Sequence, residues 1–160
     1  MSNELVTVAI RRFPLDMHVA SQQHGEALVR EFAFIVDGGG DNAELPKRLL
    51  DVVHLVRTRA GGLNAHAERT IEDALARGDR DVDFDVVVPV SVARGAPEFA
   101  ALLDEVDEYC RAGELLTLET PPAVRAFRSW YLGEFTRQLN GDAPMTWDEW
   151  RERSERATRS

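Results

Sequence analysis

The chain has 160 residues, 44% of them apolar, which suits one domain with a real core and excludes a disordered polypeptide. Its single cysteine, Cys110, excludes an intrachain disulfide and a cysteine-built zinc cluster. The net charge is −9 and its excess is local, with 4 Lys/Arg against 13 Asp/Glu in residues 72–119, a field that repels phosphate backbones and sets nucleic-acid binding aside.

Residues 5–13 (LVTVAIRRF) put Val6, Val8 and Ile10 on one face and read as a strand that Pro14 ends. Asp16 is the expected N-cap of a helix over 17–36, with Ala20, His24, Ala27, Leu28, Phe32 and Ile35 as its apolar stripe. The glycines of DGGGDN (37–42) break that helix. Helical spacing resumes at Leu45, Leu49, Val52, Val53 and Val56 and stops at Gly61-Gly62. Asn64 is positioned to cap a short helix burying Ala67, Ile71, Ala74 and Leu75.

Residues 82–92 (VDFDVVVPVSV) show strict period two, with Val82, Phe84, Val86, Val88, Val90 and Val92 on one side. Pro89 places this strand at a sheet edge or bends it. Pro97 starts a helix whose apolar arc holds Phe99, Leu102, Leu103, Val106, Tyr109 and Cys110, and Gly113 stops it. LLTL (115–118) reads as a short strand. Thr120 is the expected cap of a long helix reaching about Leu139. Thr146 with Glu149 forms a capping box for a last short helix carrying Trp147 and Trp150, followed by a charged tail. The expected fold is α+β (or a small α/β domain) with about three strands and five or six helices. Residues 82–118 have the connection length of a parallel βαβ unit. Residues 1–144 form the domain, and 145–160 form the terminal helix and tail.

Candidate chemistry is sparse. His18 and His24 are six apart on one helix, whereas two ligands on one face need three or four, and no H-E-x-x-H pattern occurs. DGGGD follows a helix and lacks the residues that complete a phosphate loop. Asp79, Asp81, Asp83 and Asp85 alternate along the polar side of one strand and its approach, without the EF-hand order. Asp104, Glu105, Asp107 and Glu108 read as an exposed face of the next helix. The serines lack a G-x-S-x-G elbow. No catalytic residue, metal ligand or cofactor site is assigned.

Taken at about 100° per residue, Val124, Phe127, Tyr131, Phe135 and Gln138 line one side of the long helix, with Trp130 on its flank. A flanking tryptophan either completes the core rim or anchors a partner. The sequence-level partner surface is therefore Asp83, Asp85, Asp104, Glu105 and Glu108 with Trp130, Trp147 and Trp150. A separate pocket is expected at the carboxyl ends of strands 82–92 and 115–118, with Glu119, Arg125, Arg128 and Tyr131 as its polar groups.

Two stretches, RRFPLDMHVASQQHGEALVREFAFI (11–35) and LLDEVDEYCRAGELLTLETPPAVRAFRSWYLGEFTRQLNGDAP (102–144), carry a family likeness. The chain resembles an uncharacterised actinobacterial family encoded beside ATP-binding anti-sigma factors (serine kinases), STAS-domain antagonists and PP2C-type phosphatases of partner-switching stress pathways. The likeness implies a pathway and carries over no site residue. The chain lacks the E-x-x-x-N-A and D-x-G-x-G motifs of the kinases and the D-S-x-G motif of the STAS antagonists. The function expected is a non-enzymatic regulatory or adaptor protein that binds another protein in bacterial stress (sigma-factor) signalling. The alternative is a small-molecule-binding domain or enzyme using the pocket just named. Residues 1–13 lack the basic start and long apolar core of a signal peptide, and no apolar run is long enough to span a bilayer, so a cytoplasmic protein is expected.

Overall fold

In the computed structural model, residues 4–38, 44–60, 62–112 and 120–159 are described. The fold is α+β. Strands β1 (Leu5–Pro14) and β2 (Asp81–Pro89) form a two-stranded antiparallel sheet, accompanied by seven helices among the described residues. These are α1 (Leu15–Asp37), α2 (Glu44–Ala60), α3 (Ala65–Arg77), α4 (Val90–Arg94), α5 (Ala96–Arg111), α6 (Pro122–Leu139) and α7 (Trp147–Arg159). No helix among the described residues is long and apolar enough to cross a membrane.

The sheet follows its alternation. Val6 lies opposite Val88, Val8 opposite Val86 and Ile10 opposite Phe84, and these inward side chains begin the core. The register then slips by one residue. Ile10 opposes Phe84, whereas Phe13, three residues on, opposes Val82. This β-bulge turns Phe13 rather than Arg12 inward, because strict alternation would bury an arginine. Arg12 absorbs the extra residue in a left-handed conformation (φ 50°), and its backbone N–H donates to Asp83 Oδ1 at 2.7 Å.

Both outer edges of the sheet are held by side-chain amides. Gln138 Nε2 donates to Ala9 O while Ala9 N donates to Gln138 Oε1, each at 2.8 Å. Asn64 makes the same pair with Val87, at 3.0 and 2.8 Å. Each amide supplies the donor and acceptor that a further strand would bring, which blunts the edge. The expected Asn64 cap is thereby corrected: its amide goes to β2, and α3 starts with no side-chain cap bond.

Other expectations are also revised. The second strand ends at Pro89 rather than residue 92. Val90 makes one more ladder bond, to Glu4 O at 2.9 Å, and residues 90–94 coil into α4. Proline lacks the donor a strand needs and has the φ that starts a helix. β2 pairs with β1 in antiparallel fashion, and the strand expected at 115–118 lies outside the described residues, so a parallel βαβ unit is not part of the observed sheet. Helix α1 begins at Leu15, two residues before the expected start, with Pro14 rather than Asp16 at the N-cap position. The Thr146–Glu149 capping box forms as read: Glu149 N donates to Thr146 Oγ1 at 3.2 Å, and Thr146 N to Glu149 Oε1 at 3.1 Å. Beyond it α7 stays helical to Arg159, where a tail was expected.

The apolar residues gather in two clusters. The larger joins the sheet to Ala67 and Ala74 of α3, Ala93, Phe127, Trp130 and Phe135 of α6, and Trp147. The smaller joins Leu28 and Phe32 of α1, Leu49 of α2, and Leu102, Val106 and Cys110 of α5. Cys110 is buried, as its place on the helical arc implied.

Candidate functional site

Three features stand out once the core is in place: a buried polar cluster, a groove at one end of the sheet, and a helix that leaves the body.

The polar cluster centres on Asp107 of α5. Two of the residues expected in a pocket, Arg125 and Arg128 of α6, converge on this carboxylate instead. Arg128 Nη2 lies 2.7 Å and Arg125 Nη2 3.2 Å from Asp107 Oδ2. Asp107 Oδ1 accepts Thr120 Oγ1–H at 2.5 Å and Thr120 N–H at 3.1 Å. Asp107 is 2% exposed, which corrects its expected place on an open acidic face. Thr120, expected to cap α6, spends its hydroxyl here, and Pro121 takes the N-cap position.

The same hydroxyl lies 3.1 Å from His24 Nε2 and accepts Arg128 Nη1 at 3.2 Å. A carboxylate only accepts hydrogen bonds, so the hydroxyl proton points to Asp107 and the imidazole must donate Nε2–H. His24 is thus a donor to Thr120 rather than its base, and the triad-like order holds α1, α5 and α6 together. Burial first pushes the Asp107 carboxyl up, but the Thr120 and Arg128 hydrogen bonds and the Arg128 charge bring it below its usual range.

Burial lowers His24 below 6.5, a shift partly opposed by Asp107 and reinforced by Arg128, and burial alone lowers His18. A histidine with a depressed folded pKa contributes stability that is complete above its unfolded value and lost as pH falls through the folded one. The Tm is therefore expected to decline as pH drops from about 7 to 5. His18→Gln/His24→Gln should flatten that slope in a thermal melt series. An unchanged slope would exclude both imidazoles as its source.

The remaining partner-surface residues fall into two groups. Asp83, Asp85, Asp104, Glu105 and Glu108 are exposed. Asp85 meets Arg11 at 3.0 Å, Asp104 meets Arg128 at 2.9 Å, Glu105 meets Arg48 at 3.1 Å, and Glu108 pairs with Arg111. Trp130 and Trp147 are corrected: both are core, at 0% and 7% exposure. Trp130 Nε1–H donates to Met145 O at 2.9 Å, and the ring meets Phe127, Trp147 and Tyr131. Half-buried Trp150 stacks on Trp147 at 5.7 Å with 12° between planes. Tyr131 packs edge-on to Phe13 and Phe135, and burial pushes its hydroxyl up to about 12. Glu119 lies outside the described residues.

The groove, of about 600 Å³, opens where β1 ends and β2 begins. That is the amino end of β2, opposite to the expected pocket, and none of the four residues expected there lines it. Pro14, Met17, Ala123, Ala126 and Trp147 provide apolar walls, and the charged rim is mixed, with Arg12, Arg80 and Arg151 among Asp16, Asp79, Asp81 and Asp148. Arg151 sits over the Trp147 ring at 5.2 Å and pairs with Asp148 at 2.7 Å. The sequence signal for Arg12 was the break in alternation at Arg11-Arg12-Phe13; Arg80 carried none. Among the described residues, no group of three His, Cys, Asp or Glu side chains is arranged to hold a metal ion.

Helix α7 walls the groove with its first turn and then departs from the body. Residues 151–159 are all exposed, yet they remain helical, supported by the Arg151–Asp148 and Arg156–Glu152 pairs. This stretch holds four arginines and two glutamates, a local charge of +2 in a chain of −9.

No protein-family model, curated protein or solved structure matches the chain.

Proposed function

We propose that the chain is a regulatory or adaptor protein that acts in the cytoplasm by binding another protein, within a bacterial stress pathway linked to a sigma factor. The observation that carries this reading is α7, whose last nine residues form a helix exposed along its whole length. A helix that is polar all round contributes nothing to its own core, and its exposed arginines form a docking surface for an acidic partner. The pathway rests on the likeness in 11–35 and 102–144. The acidic face from Asp83 to Glu108 supports the reading less, because Arg11, Arg48, Arg111 and Arg128 already engage four of its five carboxylates.

The test is capture of a purified anti-sigma kinase, STAS antagonist or PP2C phosphatase from a neighbouring gene by the full chain. Arg153→Glu/Arg159→Glu is expected to reduce capture at least tenfold with no change in Tm, since both side chains are exposed. Glu105→Lys/Glu108→Lys is expected to retain most of it. The opposite ranking would move the interface to the acidic face, and no capture of any candidate would remove the pathway assignment.

A further inference from the structure

We draw no further inference here: the strongest candidate, the apolar surface patch on the last turns of α1, where Phe34 is 82% exposed beside half-buried Ile35 and Val36, carries nothing because nothing in the structure shows what covers it.

Discussion

Replacing Asp107 with alanine is expected to cost about 3–5 kcal/mol, because removing one partner of a buried ion pair strands the other. In a chain of this size that corresponds to a fall in Tm on the order of 10 °C. Asp107 is nearly inaccessible and receives Thr120 through both backbone and side chain, together with Arg125 and Arg128. Its loss leaves Thr120 donors without an acceptor and two guanidinium groups facing each other. Asp104→Ala provides the contrast. It removes the other carboxylate on Arg128, but from an exposed position, and should cost no more than about 1 kcal/mol. Urea denaturation of the two variants measures the difference, and equal costs would show that burial is not what gives the cluster its weight.

The acid limb gives an independent reading of the same carboxylate. Its folded pKa is depressed below 3.8, so its contribution is present above that value and is lost as pH falls through the folded one. Asp107→Ala should therefore lose less stability than the wild type over that acid range.

Trp130→Ala is expected to cost about 3–5 kcal/mol, the range for removing a large aromatic from a packed core. Trp130 is 0% exposed and touches Phe13, Phe127, Tyr131 and Trp147, so the surrounding rings cannot all collapse into the space. Trp130→Phe keeps an aromatic but leaves Met145 O without its indole donor, at a further cost of about 1–3 kcal/mol for an unpaired buried acceptor. Beside it, Glu134 accepts Met145 N–H at 2.8 Å and Gln138 Nε2–H at 3.1 Å and pairs with Arg137. The segment leading into α7 is thus fastened to α6 by both residues. Were Trp130 a partner anchor, Trp130→Ala would leave the denaturation midpoint unchanged and remove binding alone; a lowered midpoint is the expected result.

The low amphipathic contrast of α6 explains why helical spacing leaves Trp130 open between core rim and partner anchor. α6 touches β1, α1, α4, α5 and α7, so its buried residues run well beyond one stripe. A single-stripe reading puts Trp130 on the rim, whereas a helix packed on several sides buries the rim as well. The error at Asp107 is of a different kind. It stands four residues after Leu103 and three before Cys110, directly on the buried side of α5. Helical spacing alone placed it inside, and only its charge argued for water. Charged residues are buried when they are paired, and the pairing arginines lie 18 and 21 positions away, beyond any local pattern.

What the amino-acid sequence determined by itself is therefore the local part of the structure. The alternation in both strands, the helices that flank them, the Thr146–Glu149 box and the buried Cys110 all depend on residues within a turn or two of each other. Tertiary structure alone decided the antiparallel pairing of β1 with β2, the Asp107 cluster and the groove. Each of these brings together residues tens of positions apart: Val8 with Val86, His24 with Thr120, and Arg12 with Arg80. Periodicity reports which face of an element is apolar, but not which element will cover it. The polar groups that complete a site are chosen by that second step, when packing removes water and each buried donor and charge must find its partner within the protein.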